Sequence, residues 1–323
     1  MDTLRDEQSY WAFFIRFNKE DLSSTYKPFF IKSLIPIFDF NEQNRKFPGN
    51  EWLQKEGSKL KVDLNFIAIG WIKFYGDLIK FRLKQSHTPL DANINRILKE
   101  ENETFRRRVP TRDSLAEEKF TILRKRVIES TIRPEVLKHV DKEAQLFDRF
   151  PGKPYILAEL NLVDFFRRYK DILIPSLNFI IVRYLERINF TPRIAEKVSE
   201  FYPRDKPTPE QKKIMLSMNM GCFYCPNICT NYYSDHVIPF HYVHRTELFN
   251  IVPACERCNS VKSDKLPSKD LFDKVKERNR RLQSLNHLPK EYSDNWYQEL
   301  YDRCLADFHG LGPLFERIPI GTC

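Results

Sequence analysis

The sequence predicts an α+β protein, in which a mostly α-helical N-terminal region precedes a small domain of short strands and helices. Apolar residues recur at helical spacing through much of the chain before position 203. Two closely spaced cysteine pairs between positions 222 and 258 enclose short candidate strands. Prolines at positions 203, 207 and 209 mark the expected boundary. We therefore predict one region at residues 1–202 and a second domain at residues 203–323.

The composition of the 323-residue chain indicates a folded protein with a polyanionic partner. Hydrophobic residues make up 41% and aromatic residues 14%, which favours a filled core. The formal net charge is +9 with a pI near 9.1, and such a charge favours nucleic acid. The seven cysteines include an odd remainder, and the chain shows neither a signal peptide nor an apolar run long enough for a bilayer. We expect a cytoplasmic protein without a membrane partner.

The N-terminal region contains several predicted helical segments. A new helix is expected to start near Pro28 within the first segment, because proline is tolerated in a first helical turn. Polar residues 41–62, with a turn at Pro48-Gly49, separate the first segment from the second. A turn at Pro151-Gly152 divides the region into two possible subdomains near residues 146–155. The segments cover residues 9–40, 64–83, 117–137 and 157–185, the last as one or two helices.

Two features of this region have alternative interpretations. The aromatic side chains of Trp71, Phe74 and Tyr75 favour core packing, with base stacking as the alternative. The run Arg106–Arg108 is typical of a solvated face and is also a candidate contact for DNA phosphates. We expect residues 1–202 to select the target, to mediate assembly as a homodimer or with a protein partner, or to regulate the second domain.

The second domain is predicted to alternate short helices and strands. Ser268 is a candidate cap for its longest helix, whose basic residues form one face. An aromatic segment that includes Trp296, Tyr297 and Tyr301 is expected to pack back on the domain. The predicted helices cover residues 210–218, 258–265 and 269–285, and the predicted strands cover residues 230–237 and 250–253 on either side of a loop at 239–249.

Four cysteines form two C-x-x-C pairs, Cys222/Cys225 and Cys255/Cys258. This spacing lets two thiolates of one tight turn reach the same ion, and four soft thiolates describe a closed, structural zinc site. A zinc ribbon used only for binding is the alternative. Disulfides are less favoured, because a two-residue spacing is short for a structural bridge.

Ligands of a different kind lie between and beside the cysteine pairs. Asp235 precedes His236, Asn250 begins the second predicted strand, and Asn259 follows the last cysteine. Carboxylate and amide oxygens suit Mg²⁺ or Mn²⁺. An imidazole is the side chain best matched to accept a proton near neutral pH. Adjacent strand residues point to opposite faces, so Asp235 and His236 can share one site only if the strand twists there.

The pieces D-H-x-x-P, N-[IL]-V-x-x-C and C-x-x-C-N-x-x-K between Gly221 and Leu266 resemble the HNH endonucleases in their four-cysteine form. The resemblance implies a small ββα-metal nuclease domain with a structural zinc site. It implies that His236 is the general base and that Asp235 and Asn259 bind the catalytic Mg²⁺ or Mn²⁺. It also implies that Asn250 ties the intervening loop to the strand of the histidine. The last position of the family name is Asn259 here instead of histidine.

Basic residues around this motif are candidate contacts for nucleic acid. Lys262, one helical turn after Asn259, is either a solvated lysine or a catalytic phosphate contact. The loop residues and the basic helix face are also compatible with ordinary surface polarity. The remaining candidates are His241, His244, Arg245, Lys265, Lys274, Arg278 and Arg281.

The sequence thus predicts metal-dependent hydrolysis of DNA phosphodiester bonds, with RNA still open as a substrate. Family-level analogy suggests a prokaryotic restriction or anti-phage role. One alternative is a zinc-dependent nucleic-acid-binding protein without catalysis. Another is a nuclease subunit of a larger complex, active only with its partner.

Overall fold

A computed structural model divides the chain into two compact units, Met1–Asn189 and Phe190–Cys323. We call them the first and the second unit. The division precedes the proline-rich segment that marked the predicted boundary, so residues 191–199 belong to the second unit. The Pro48-Gly49 turn, Arg106–Arg108 and Pro203 lie outside the described residues. These are residues 7–19, 22–38, 52–81, 83–86, 93–100, 120–137, 146–149, 152–189, 191–199, 206–218, 221–226, 231–307 and 314–316.

The helices of the first unit follow the predicted segments, except for α4, which was not predicted. Pro28 lies in the first turn of the second helix, as predicted. The third helix is capped by Asp63, whose carboxylate accepts a hydrogen bond of 2.7 Å from the Asn65 backbone amide. The helices are α1 (Glu7–Lys19), α2 (Tyr26–Phe38), α3 (Leu64–Lys80), α4 (Asn93–Glu100), α5 (Thr121–Val127) with its π-helical continuation Ile128–Leu137, and α6 (Leu160–Ile188).

An antiparallel sheet of four described strands in the first unit was not predicted from the sequence. The order is β1-β2-β4-β3. Gly57, at φ +60°, lies in the turn of the hairpin between β1 and β2, a conformation that glycine adopts without strain. Leu53 is the one apolar residue of β1, so the alternation that reveals a strand is missing. The strands are β1 (Leu53–Glu56), β2 (Lys59–Asp63), β3 (Phe147–Arg149) and β4 (Tyr155–Glu159).

Aromatic side chains fill the core of the first unit. Trp71 and Tyr75 are fully buried, and the ring of Phe74 stacks on Phe29 with 3.7 Å between centroids. Core packing therefore accounts for these aromatic residues, and stacking on a nucleic-acid base does not. None of the described helices in either unit has the length and apolarity that a membrane span requires.

The described residues of the second unit include an antiparallel strand pair, in which His236 lies opposite Ile251. The predicted loop between the strands includes a short helix and a 3-10 turn, Leu248–Asn250. Ser268 occupies the predicted cap position, but its hydroxyl makes no cap hydrogen bond. The elements are α7 (Ile194–Val198), α8 (Pro209–Met218), β5 (Tyr233–His236), α9 (Phe240–Val243), β6 (Ile251–Ala254), α10 (Glu256–Lys262), α11 (Lys269–Ser284) and α12 (Asp294–Asp307).

Helices α11 and α12 complete the core of the second unit. The ring of Phe272 in α11 stacks on Tyr301 of α12 with 4.1 Å between centroids. Tyr297, also in α12, is buried against the same phenylalanine. The aromatic side chains of α12 thus pack on α11 and, through Phe249, on the 3-10 turn that precedes β6.

Candidate functional site

The four predicted zinc ligands form one buried cluster. The sulfur atoms of Cys222, Cys225, Cys255 and Cys258 all lie within 4.8 Å of one another. Cys225 Sγ and Cys255 Sγ are 3.9 Å apart, close to the separation of about 3.8 Å that tetrahedral zinc–thiolate bonds of about 2.3 Å produce. The donor set, its burial and its spacing therefore fit a zinc ion. The cysteines that the structure describes, these four and Cys304, are all free of disulfide bonds.

Backbone amides direct hydrogen bonds at these sulfur atoms. The Cys255 amide donates to Cys222 Sγ at 3.3 Å, and the Cys258 amide donates to Cys255 Sγ at 3.4 Å. Burial raises the pKa of the Cys255 thiol, but hydrogen bonds from Cys258 and the neighbouring thiols outweigh burial and lower that pKa to about 7. Such bonds favour the thiolate, which is the form that binds a metal.

Cys255 also determines where α10 begins. Its sulfur is the N-cap acceptor of the helix, which starts at Glu256, two residues before the predicted start. On the other side, the Phe223 amide donates to the Pro253 carbonyl at 2.8 Å and joins the first cysteine pair to β6. The cluster thus connects the strand pair and the helix that follows it.

Asp235 is buried between the first cysteine pair and α10. Its Oδ2 accepts a hydrogen bond of 2.6 Å from the hydroxyl of Tyr224 and lies 3.0 Å from Lys262 Nζ. Burial raises the pKa of the Asp235 carboxyl, and the charge of Lys262 opposes that rise. Lys262 is fully buried and also donates to the His236 carbonyl at 2.5 Å. Both sequence-based interpretations of Lys262, a solvated side chain or a phosphate contact, are therefore wrong.

His236 is the neighbour of Asp235 on β5 and is 5% exposed. Its Nε2 lies 3.0 Å from the hydroxyl oxygen of Thr246, and its ring packs edge-on against Phe240. Thr246 and Phe240 belong to the segment between the two strands, so this segment covers the imidazole. The hydroxyl of Thr246 orients the ring by a hydrogen bond.

Asn250 joins the end of this segment to the residues that follow β5. Its amide group forms two hydrogen bonds of 2.8 Å with Ile238, one to the backbone amide and one to the carbonyl. The hydroxyl of Tyr297 donates to the same amide oxygen at 3.1 Å. The side chain is fully buried, so these bonds replace all contact with water and hold the loop against the strand.

Two residues offer the oxygen donors expected for a catalytic divalent ion. Asp235 offers a carboxylate and Asn259, half-buried on α10, an amide, and both suit Mg²⁺ or Mn²⁺ chemically. The Asp235 carboxylate is already paired with Lys262, so a divalent ion at this position would share it with that ammonium group. Among the residues described, the cysteine cluster is the one group of three or more cysteine, histidine, aspartate or glutamate donors close enough to hold a metal.

The predicted nucleic-acid contacts between the strands already have partners within the second unit. His241 Nδ1 lies 3.2 Å from Asp264 Oδ2, and the guanidinium of Arg245 pairs with Glu247. His244 is buried at the left-handed C-terminal position of α9, with its ring against Phe240. Of these side chains, that of Arg245 is nearly half exposed.

Arg278 corrects the prediction of a continuous basic face on α11. It is buried, and its guanidinium donates to the backbone carbonyls of Leu248, Phe249 and Ile251. Burial lowers the pKa of Arg278 to about 10, so it remains charged at neutral pH. Arg278 therefore holds the start of β6 and is not a DNA contact. Lys274 and Arg281 are exposed, and Lys265 is half-buried.

Tyr224 and Thr246 were not among the predicted site residues, and Tyr297 was expected only to pack on the domain. Tyr224 lies inside the first C-x-x-C pair and is fully buried. A buried tyrosine hydroxyl needs a hydrogen-bond partner, and this requirement is the signal that could have identified Tyr224 as a site residue. No comparable pattern marked Thr246 or the hydroxyl of Tyr297, because their partners are distant along the chain.

Comparison of the chain with protein-family models, with curated proteins and with solved structures found no match.

Proposed function

We propose that the second unit is an HNH endonuclease that hydrolyses DNA phosphodiester bonds with Mg²⁺ or Mn²⁺. One observation supports this proposal above the others. The two cysteine pairs, which form one buried cluster, enclose the strand pair that carries Asp235 and His236. A zinc ion at the cluster would hold the strands and α10 in place in a domain of this size.

Within this proposal His236 accepts a proton from the attacking water at a ring nitrogen. Thr246 and Phe240 orient the imidazole, and Asn250 fixes the loop beside it. Asp235 and Asn259 would hold the divalent ion, which supplies positive charge to the phosphate when bound. The net charge of +9 favours association with the DNA backbone.

Cleavage of supercoiled plasmid by the full chain tests the proposal. We expect nicking with Mg²⁺ or Mn²⁺, none with EDTA, and none from His236→Ala with its zinc content intact. His287→Ala is the matched control, because His287 is an exposed histidine of the same unit, and we expect it to cut like the wild type. Equal cutting by His236→Ala and the wild type would reject His236 as the base.

A zinc-dependent DNA-binding module without catalysis is the second candidate. The burial of His236, at 5% exposure, and the pairing of Asp235 with Lys262 favour this candidate, because a nuclease must bring both side chains to its substrate. In that case DNA binding would persist in His236→Ala, and no metal would support cutting. Cutting that appears only after a protein partner is added would instead indicate a subunit of a larger complex.

The first unit is the proposed site of target selection, assembly or regulation, with a restriction or anti-phage role for the whole protein. Deleting residues 1–189 tests this division of labour, because the boundary lies between two compact units. We expect the remaining chain to keep its zinc and to lose target preference or partner binding.

A further inference from the structure

A buried bridge of three side chains, Tyr224, Asp235 and Lys262, connects the cysteine cluster with His236. We propose that Tyr224 and Lys262 are positioning residues, which make the placement of His236 depend on the geometry of the cysteine cluster. This inference rests on the proposed function, because it assigns the histidine a task that requires fixed placement. Neither residue is expected to touch DNA, since both are fully buried.

The first arm of the bridge starts inside the first cysteine pair. Tyr224 lies between Cys222 and Cys225, and its hydroxyl donates to Asp235 Oδ2 at 2.6 Å. Its ring is held edge-on by Phe315, with 5.1 Å between centroids. Because Tyr224 lies between two of the cysteines that would hold a zinc ion, the position of its hydroxyl depends on the geometry of the cysteine cluster.

The second arm starts at the second cysteine pair. Helix α10 begins at the cap formed by Cys255, carries Cys258 in its first turn and ends at Lys262. The ammonium group of Lys262 lies 3.0 Å from Asp235 Oδ2 and 2.5 Å from the His236 carbonyl oxygen. A displacement of the second cysteine pair would therefore move Lys262 along with its helix.

Both arms meet at one carboxylate oxygen next to His236. A buried ion pair with a shared hydrogen bond is strong only while its geometry is kept, because water cannot replace a lost partner. Lys262 holds the backbone of His236, and Asp235 holds Lys262. A catalytic group misplaced by about 1 Å loses roughly a hundredfold in rate, so a small shift of the bridge is expected to affect turnover.

Tyr224→Phe is the sharpest test, because it removes one hydroxyl and keeps the ring. Tyr301→Phe is the matched control: Tyr301 is also buried in the second unit, and its hydroxyl makes a hydrogen bond of equal length, 2.6 Å, to the Pro267 carbonyl outside the bridge. Bound zinc, the imidazole resonances of His236 by NMR, and kcat and KM for plasmid cleavage are compared with the wild type.

We expect Tyr224→Phe to keep its zinc, to shift the His236 resonances and to lower kcat by about tenfold or more with KM unchanged. Tyr301→Phe is expected to change none of these. Lys262→Arg keeps the charge and is expected to retain more activity than Lys262→Met. If Lys262→Met does not fold, a double-mutant cycle can still be built from Tyr224→Phe, Lys262→Arg and the variant that combines them. In this cycle the effects of the two substitutions on the His236 resonances are expected to be non-additive.

Identical resonances and kcat in Tyr224→Phe and Tyr301→Phe would overturn the inference. Loss of zinc from Tyr224→Phe would also overturn it, because Tyr224 would then support the metal centre itself. A wild type that cuts no DNA would reject the proposed function. The His236 resonances would still decide whether the bridge positions the histidine.

Discussion

Replacing Asn250 with alanine should destabilise the second unit strongly. The substitution leaves three buried polar groups without their partner: the amide and the carbonyl of Ile238 and the hydroxyl of Tyr297. Each buried group that loses its hydrogen bond costs about 1 to 3 kcal/mol. A total of about 3 to 9 kcal/mol is expected, which is comparable with the whole stability of a typical domain, about 5 to 15 kcal/mol.

Hydrogen-exchange mass spectrometry of the zinc-loaded protein measures this loss in the second unit alone. Peptides that span residues 233–254 should lose protection in Asn250→Ala, while peptides from α6 in the first unit should keep it. Asn295→Ala is the control, because Asn295 is an exposed asparagine of α12, and its effect should stay within about 0.5 kcal/mol. A loss in Asn250→Ala no larger than in this control would refute the assigned role of the amide.

Three further predictions follow from the second unit. Arg278→Met should destabilise the second unit by about 3 to 5 kcal/mol, because three backbone carbonyls lose a charged donor. Arg281→Met, at an exposed position of the same helix, should change the stability little, and similar urea midpoints for the two variants would contradict the role of Arg278. Cys255→Ser or a zinc chelator should unfold the second unit and spare the first, as measured by circular dichroism and exchange protection; an unchanged melting profile would count against a structural metal. Burial raises the pKa of both Tyr292 and Tyr301 to about 12. The contribution of these tyrosines to the stability of the folded state is therefore complete below about pH 10 and is lost towards pH 12. Thermal melts of Tyr301→Phe should depend less on pH in that range than melts of the wild type, and an equal dependence would exclude this tyrosine as a cause.

Local patterns in the sequence were enough for many of the elements. The apolar residues of α3 and α6 recur at a helical spacing that involves only residues a few turns apart, and the proline in the first turn of α2 is an equally local signal. The two cysteine pairs are likewise short-range patterns, and their sulfur atoms do converge. These features were predictable because the information lies in adjacent residues.

The burial of Arg278 and Lys262 was not predicted from the sequence. Leu271, Val275 and Leu282 form the buried stripe of α11, and Arg278 lies at the helical spacing that continues this stripe. The same rule places Lys262 one turn after buried Cys258. Counting basic residues indicated a DNA-binding face, whereas their helical positions indicated which of them face the core. Their hydrogen-bond partners, in contrast, come from distant segments and required the fold.

The sheet of the first unit has a consequence for how the chain acquires its structure. Strand β2 pairs with β4 from Lys59↔Glu159 to Asp63↔Tyr155, so about half of the first unit lies between the two partners along the chain. During synthesis the β1–β2 hairpin emerges long before β4, and one edge of β2 stays open in that interval. Closing so long a loop is slow, and an open edge can pair with another chain. Chains that end before Tyr155 are therefore expected to aggregate, and folding of the first unit should be limited by the arrival of β4.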